Sequence, residues 1–183
     1  MSITTKQGDT GSTRLIFGQT VAKCDLAIAA VGEIDELNAA LGLARLHTAS
    51  GRLQAIIARV QDDLVALMGQ LSAGPEGAAK YAQHGFKRVD AGSLEWLTAE
   101  GVGLEAEFPG GFHTWSVPGA TGSHGSAWLE MARCVCRRAE RAVSALQAGG
   151  TVLDPVIAAW LNRLSDVLWL AARLEEKSNA LES

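Results

Sequence analysis

With 183 residues, 48% of them apolar and 20% charged, the chain carries a formal net charge of −4. A domain of this length buries roughly 70% of its unfolded surface, enough for a hydrophobic core without disulfides or metals. The apolar content and small net charge exclude a disordered chain, and no apolar run approaches the ~20 residues of a membrane span. A pI of about 5.6 argues against a protein that binds nucleic acid through a basic face.

The cysteines and the first residues indicate a compartment in which thiols stay reduced. The amino terminus has no apolar stretch of the kind that a signal peptide needs. Cys24, Cys134 and Cys136 are an odd number in a chain long enough to fold without disulfides. Free, mostly buried thiols are the favoured interpretation, with structural zinc as the alternative. We therefore expect one cytoplasmic domain that contacts neither nucleic acid nor membrane.

Residues 1–23 form an arm with neither helical nor strand periodicity. Within it, residues 5–14 combine hydroxyl side chains and two cations with two glycines, Gly8 and Gly11. Backbone N–H groups in such a turn can converge on an anion such as a triphosphate. The segment is not a Walker A loop, because no Gly-Lys-Ser/Thr follows a strand and opens a helix. A polar turn at a frayed terminus is the alternative.

Apolar residues that recur every three or four positions predict the first helices. The first seam consists of Ala27, Ala30, Ile34, Leu37, Leu41 and Ala44. Ser50 is a plausible N-cap for a second helix. Its seam consists of Leu53, Ile57, Val60, Leu64, Leu67 and Leu71. Asp35 flanks the first seam, where it can pair with an arginine of an adjacent helix, and a weaker helical pattern covers residues 88–100.

Two more helices are predicted in the second half of the chain. One begins near Ala127, with a seam of Leu129, Ala132, Cys136, Ala139, Val143 and Leu146. Asp154 and Pro155 are typical of the N-cap and first position of the last helix. Its two apolar faces consist of Ile157, Leu161, Leu164, Leu168 and Ala171, and of Val156, Trp160, Val167, Leu170 and Leu174. Such a helix is central or shared with another subunit.

Strand signals are almost absent between these helices. Two glycine-rich segments, residues 72–87 and 101–126, are predicted to be loops. The pattern therefore predicts an antiparallel bundle of four or five helices. Because long irregular segments in a compact domain are commonly functional, we expect the loops and the arm to hold a ligand against side chains of the helices.

Two polar motifs interrupt the apolar helices. Arg137 and Arg141 share a face of the fourth helix, and Arg133 extends that stripe by one turn. They flank the apolar seam, so a pairing partner or a solvated helix face would account for them. In the last helix, Asn162 adjoins Leu161. An amide there is either satisfied by a neighbouring helix or reaches a ligand.

Five motifs, taken in chain order, resemble those of the PduO-type ATP:cob(I)alamin adenosyltransferases. They are residues 5–11 (T-K-Q-G-D-T-G), Lys23, residues 32–37 (G-E-I-D-E-L), residues 136–141 (C-R-R-A-E-R) and residues 162–166 (N-R-L-S-D). The resemblance extends from Thr5 to about Arg173. It implies an all-α, ferritin-like five-helix bundle that forms a homotrimer with active sites between subunits. The single domain would comprise a nucleotide-binding arm, residues 1–23, and a bundle, residues 24–178.

The resemblance also implies the reaction, in which the cobalt of cob(I)alamin attacks the ribose 5′-carbon of ATP and releases triphosphate. With Mg²⁺, the triphosphate would be held by Thr5, Lys6, Gln7, Gly8, Thr13, Arg14 and Lys23. The helices would contribute nucleotide contacts from Arg137, Arg138, Glu140, Arg141 and Asn162. Asp35 would pair with Arg137 across the trimer interface. Arg137, Arg141, Asp35 and Asn162 are thus the expected catalytic set, and no metal is expected to be bound by protein ligands alone.

On the corrin side, members of the family use an aromatic residue to displace the lower axial ligand of cob(II)alamin. The family segment F-x-x-P-G-G matches residues 115–120, so Trp115 is the candidate and Phe112 the second choice. Three further departures are a longer segment at 120–128, Glu130 in place of a common histidine, and Ala29 in place of an acid.

Partners and rival functions follow from the same resemblance. An adenosylcobalamin-dependent enzyme and a reductase are the implied protein partners. A non-catalytic corrinoid carrier of the same fold is the alternative function, and a purely structural helical protein is the other rival. Because the arm has few apolar residues, we expect it to be mobile until it closes on Mg²⁺–ATP.

Overall fold

The structure, a computed structural model, describes residue 6 and residues 8–182, with side chains up to Asn179. Its elements are β1 (Ser12–Arg14), β2 (Thr20–Ala22), α1 (Leu26–His47), α2 (Gly51–Gln83), α3 (Ala91–Glu105), α4 (His124–Ala148) and α5 (Pro155–Glu182). The prediction of a five-helix, mostly helical chain is confirmed. None of the helices in the described part of the chain has the length and apolarity needed to cross a membrane.

Short polar side chains start the helices where the sequence predicts. The Ser50 hydroxyl accepts a hydrogen bond from the Leu53 N–H at the start of α2. Asp154 accepts one from the Val156 N–H, and Pro155 is the first residue of α5. These side chains satisfy N–H groups that have no partner inside the helix. The predicted N-terminus of each of these two helices is therefore confirmed.

The core lies along the predicted apolar seams. Helix α2 packs on α1, α1 on α4, α4 on α5, and α5 on α3. Helix α5 thus contacts neighbours on two sides, which explains its two apolar faces, and Trp160 at its centre is fully buried. Cys136 is buried, and its thiol donates a hydrogen bond to the Leu161 carbonyl at 3.4 Å. Burial raises the pKa of this thiol.

Residues 72–87 are not the loop that their glycines suggest. Helix α2 continues to Gln83 across a kink at Gly74, which has a φ of 64° and is followed by Pro75. Beyond the kink the chain folds back, and the Tyr81 hydroxyl donates a hydrogen bond to the Lys87 carbonyl at 2.9 Å. Glycine adopts this left-handed conformation without steric cost, and proline is tolerated in the first turn that follows. The prediction was wrong because both residues mark a bend between helical segments.

The second predicted loop, residues 101–126, is shorter than predicted at both ends. Helix α3 runs to Glu105, beyond the expected end at residue 100, and α4 begins at His124. Gly101 lies in helix α3 because its missing side chain allows close packing: a Cβ there would lie 3.3 Å from a methyl group of Val167. The irregular segment that remains, residues 106–123, is called the aromatic loop below.

The arm is more ordered than its composition indicates. Strands β1 and β2 form an antiparallel hairpin in which Thr13 lies opposite Val21. The Ile16 N–H donates to the Ser72 carbonyl at 3.2 Å, and the buried Leu15 anchors the turn. Phe17 packs close to Gly77 of α2. The expectation of an arm without strands or apolar anchors was wrong for residues 12–22, because three-residue strands are too short to produce a periodic signal.

The cysteines are free, but they are not mostly buried. Cys24 and Cys134 are exposed, and only Cys136 is buried. Cys134 lies on the outer side of α4, two residues before Cys136 in the seam, and positions two apart face away from each other on a helix. The prediction of mostly buried thiols was therefore wrong for two of the three.

Candidate functional site

A tight turn at residues 8–11, called the Gly8 turn below, carries a lysine across its backbone. The Gly11 N–H donates to the Gly8 carbonyl at 3.3 Å, and the Lys23 N–H donates to the Gly11 carbonyl at 2.9 Å. A Cβ at residue 8 would lie 3.0 Å from Lys23 Nζ. Glycine at position 8 therefore allows the ammonium group to lie against the turn, where it adds positive charge to a polar backbone segment.

The other predicted arm residues flank this turn. Lys6 is exposed and has a φ of 57°. Thr13 is half-buried on β1 and Arg14 is exposed beside it. Thr5 and Gln7 lie outside the described residues. The structure therefore brings Gly8 and Lys23 together, and it leaves Lys6 and Arg14 as exposed cations near them in sequence.

The arginines of α4 divide into paired and unpaired groups. Arg138 forms ion pairs with Glu33 and Glu36 of α1, and the hydrogen bonds that it donates to Glu36, and secondly to Glu33, raise its pKa. Arg137 and Arg141 are exposed, and in the described part of the chain neither has a carboxylate partner. The guanidinium of Arg141 donates to the Arg137 carbonyl at 3.1 Å. Two cations are therefore free to meet an anion or another subunit.

Asp35 is exposed on α1 and has no ion-pair partner among the described residues. The α1–α4 ion pairs within one chain use its neighbours Glu33 and Glu36 instead. Within the described part of this chain, Asp35 therefore pairs with no arginine of an adjacent helix. The pairing with Arg137 across subunits involves a second chain and stays a prediction.

Asn162 is exposed on α5 at the level of the α4 arginines. The hydrogen bond between Cys136 and the Leu161 carbonyl joins the two helices at this level. Arg137 and Asn162 each follow one of these two residues in sequence, so they lie at the same height along the bundle. Glu140 is half-buried one turn further along α4.

The two candidate aromatic residues of the aromatic loop have different environments. The Trp115 side chain is among the most exposed apolar groups, at 84%. Phe112 is 39% exposed, and its ring packs edge-on against Trp169 of α5 with centroids 4.4 Å apart. Phe112 therefore has an aromatic partner within the chain, whereas the indole of Trp115 is presented to solvent.

Buried charges lie behind the aromatic loop, and the sequence analysis did not identify them. Arg173 of α5 is 7% exposed and lies between Glu130 of α4, at 2.9 Å, and Glu176, at 3.0 Å. Arg133 also pairs with Glu130, at 2.7 Å. The available signal was an arginine and a glutamate three residues apart on α5, with Ala171 and Ala172 directly before the arginine. Arg133 continues the stripe of Arg137 and Arg141, and of the two explanations offered for these arginines it has the pairing partner, Glu130.

A separate cavity of about 300 Å³ lies between the hairpin, the kink of α2 and the α4–α5 connection. Its lining includes Leu15, Gln19, Gly74, Tyr81 and Ile157. None of the predicted site residues lines it. Of the predicted nucleotide-binding residues that the structure describes, Lys6, Arg14, Lys23, Arg137, Arg141 and Asn162 are exposed.

Comparisons with known proteins match nearly the whole chain. Residues 3–175 match a family model described as cobalamin adenosyltransferase. A corrinoid adenosyltransferase of Mycobacterium leprae (strain TN) is 31% identical over 183 residues, which cover 97% of this chain and 92% of the relative. A cobalamin adenosyltransferase of Cupriavidus metallidurans is 36% identical over 175 residues, which cover 94% of this chain and 86% of the relative.

Solved structures of similar fold come from Lactobacillus reuteri. A variant PduO-type ATP:corrinoid adenosyltransferase complexed with cobalamin and ATP has a TM-score of 0.82 and 29% identity, covering 99% of this chain and 95% of that one. Another variant, complexed with ATP, has a TM-score of 0.81 and 30% identity, covering 98% and 95%.

Proposed function

The chain belongs to the cobalamin adenosyltransferase family, and we propose from its own residues how it transfers the 5′-deoxyadenosyl group of ATP to a reduced corrinoid. In this reaction the cobalt of cob(I)alamin supplies the electron pair for the new cobalt–carbon bond. The bond between the ribose 5′-carbon and its oxygen breaks, and triphosphate leaves with the electron pair of that carbon–oxygen bond. The protein therefore needs to align two substrates and stabilise the charge on the leaving group.

The triphosphate binds at the Gly8 turn, with Mg²⁺ sharing its charge. Lys23 lies against the backbone there, so its ammonium acts on an anion bound at the turn. Lys6, Thr13 and Arg14 add donors from the flanking chain, as do Thr5 and Gln7.

Arg137 and Arg141 stabilise the nucleotide from the bundle side. The observation that carries this proposal is that a chain of net charge −4 leaves both guanidiniums exposed without a carboxylate partner among the described residues. An arginine fork suits phosphate and ribose oxygens. Asn162 contacts the nucleotide, with Glu140 beside it, whereas Arg138 holds α1 against α4.

The active unit is a homotrimer, and each nucleotide site is completed by a second copy. The support is that Arg137, Arg141 and Asn162 are exposed and that Asp35 and Arg137 both lack an ion-pair partner within the described chain. Pairing with Asp35 across the interface would use some of the five N–H donors of Arg137 and hold the guanidinium at the site, with the others directed to the nucleotide.

Trp115 faces the corrin and displaces the lower axial ligand of cob(II)alamin, which makes the cobalt easier to reduce. Its exposure supports this assignment, and the packing of Phe112 on Trp169 argues against the second choice. The large apolar ring would cover the position that the axial ligand leaves.

The direct test is to incubate the protein with ATP, Mg²⁺ and cob(I)alamin without oxygen. The expected result is the visible spectrum of light-sensitive adenosylcobalamin together with one equivalent of triphosphate. A non-catalytic corrinoid carrier would change the corrinoid spectrum on binding but release no triphosphate, and a purely structural protein would do neither. The Gly8 turn argues against the carrier, because corrinoid binding alone needs no site for a triphosphate.

A further inference from the structure

The aromatic loop is fastened to one side of α5. Phe112 packs on Trp169, and Ser116 donates a hydrogen bond to the Glu176 carboxylate at 3.2 Å. Further along, Lys177 Nζ donates to the Glu107 carbonyl at 3.0 Å. Residues 169, 173 and 176 are spaced by four and three, so they share one face of the helix. The loop is therefore held by a stripe of α5 side chains.

Among these contacts, the hydrogen bond between Ser116 and the Glu176 carboxylate is the one nearest to Trp115 in sequence. It accepts hydrogen bonds from Ser116, the residue after Trp115, and from Ser126 of α4 at 2.9 Å. It also pairs with Arg173 at 3.0 Å. Glu176 therefore links the loop, the first turn of α4 and the core of α5 through one carboxylate.

Burial makes the orientation of this carboxylate specific. The side chains of Arg173 and Glu176 are only 7% and 11% exposed. Arg173 makes its ion pairs through Nη2 alone, and its Nε and Nη1 have no partner among the described residues. When a buried guanidinium has few partners, loss of one of them leaves an uncompensated buried charge and strongly destabilises the protein. Glu176 is therefore held in one position, and so is the hydroxyl of Ser116.

We propose that Glu176, oriented by Arg173, is a positioning residue that sets the placement of Trp115 against the corrin through its hydrogen bonds with Ser116. This inference rests on the proposed role of Trp115 in corrinoid binding. Because the contact lies on the aromatic loop, far along α5 from Asn162, its loss should affect the corrinoid and leave ATP binding intact. Corrin placement and nucleotide binding thus depend on different residues of α5, Glu176 for the corrin and Asn162 for the nucleotide.

The test compares Ser116→Ala with Ser178→Ala. Ser178 is a matched control because it lies on α5 and, among the described residues, its hydroxyl donates only to the Leu174 carbonyl of the same helix, at 3.1 Å. Loss of a hydrogen bond to a carboxylate should raise the KM for the corrinoid about tenfold in Ser116→Ala. The fraction of bound cob(II)alamin in the four-coordinate form, read from its visible spectrum with ATP present, should fall, and the KM for ATP should stay within about twofold.

Glu176→Gln should likewise raise the KM for the corrinoid and leave the KM for ATP unchanged. The double variant with Ser116→Ala should have the same corrinoid KM as Glu176→Gln alone, since both changes remove the same interaction. If Glu176→Gln does not fold, Ser116→Ala by itself decides. A second cycle places Ser116→Ala in a Trp115→Ala background, where its effect on the four-coordinate fraction should vanish.

Three outcomes would overturn the positioning role while leaving the adenosyltransferase activity in place. They are a corrinoid KM and four-coordinate fraction in Ser116→Ala equal to those of Ser178→Ala, a rise in the ATP KM as large as that for the corrinoid, and an undiminished effect of Ser116→Ala in the Trp115→Ala background. Absence of adenosylcobalamin with the unaltered protein would instead refute the proposed function itself.

Discussion

At the residue scale, the Gly8 turn depends on the absence of a side chain at residue 8. The Cα of Gly8 is so close to Lys23 that a methyl group on it would contact the ammonium nitrogen. The obstructing atom is the end of a flexible side chain, so a substitution would move the charge without unfolding the protein. The position of one cation therefore depends on the size of a residue fifteen positions away.

We predict that Gly8→Ala raises the KM for ATP about tenfold and leaves the unfolding temperature within about one degree, because the ammonium is displaced from the triphosphate. Steady-state kinetics at saturating corrinoid and a thermal melt check this. Gly51→Ala is the control, since a Cβ there meets nothing within 4 Å. An unchanged KM in Gly8→Ala would separate Lys23 from the phosphate site.

The unpaired arginines lead to a second prediction. Arg137→Ala and Arg141→Ala should each lower kcat/KM by about 10²- to 10³-fold, because each removes a fixed cation from the developing charge. Asn162→Ala should also lose most of its turnover. All three side chains are exposed, so circular dichroism and the melting temperature should stay those of the unaltered protein.

The control for these variants is Arg45→Ala, at an exposed arginine near the end of α1 whose one side-chain hydrogen bond within the described residues goes to Gln61, at 3.5 Å. Its activity should be unchanged. Near-normal rates in the purified Arg137 and Arg141 variants would refute the assignment of the nucleotide site to this face of α4.

At the element scale, the hairpin and the Gly8 turn have different supports. The hairpin pairs its strands and is anchored on α2 by Leu15 and Phe17. The turn at residues 8–11 is held by a few backbone hydrogen bonds. Ordering a residue opposes folding by roughly 1–2 kcal/mol of backbone entropy. The composition predicts that the whole arm becomes ordered when the ligand binds. Because the strands are anchored, we now expect such ordering only in the residues that precede β1.

We predict that deletion of residues 1–10 barely changes the melting temperature without ligand, because both apolar anchors remain. Saturating Mg²⁺–ATP should raise the melting temperature of the full chain, by mass action, and that of the truncated chain much less. Thermal melts with and without nucleotide measure both shifts. Equal stabilisation of the two proteins would show that the arm is not part of the nucleotide site.

At the scale of the whole molecule, the single chain leaves its proposed reactive face incomplete. Asp35 and Arg137 are both exposed, whereas Arg138, the residue after Arg137, is paired with two glutamates of α1 within the chain. An assembly that joins Asp35 of one copy to Arg137 of the next would use both free charges. The same contact would couple oligomerisation to activity.

We therefore predict that the protein is a trimer by light scattering at micromolar concentration, and that Asp35→Lys weakens its assembly or its activity, because Arg137 then faces a like charge. Glu95→Lys, a charge reversal at an exposed position on α3, is the control and should remain a trimer. A stable monomer with full activity in the unaltered protein would contradict the interface.

The sequence by itself determined the helices, their capped N-termini and their buried seams, because a period of 3.6 residues and short-range capping are local properties of the chain. Its motif order also led to the family. It misjudged the kink at Gly74 and the helical Gly101, since a glycine within a helix looks the same in sequence as a glycine in a loop.

Only the tertiary structure decided which charged side chains have an ion-pair partner. Helix periodicity places Arg133, Arg137 and Arg141 on one stripe, yet Arg133 is bound to Glu130 of its own helix and Arg138 to two glutamates of α1. The Arg173–Glu176 pair and its contact with Ser116 join residues 60 positions apart. Ion pairs depend on the distances between side chains of different elements, and these distances exist only once the helices have packed.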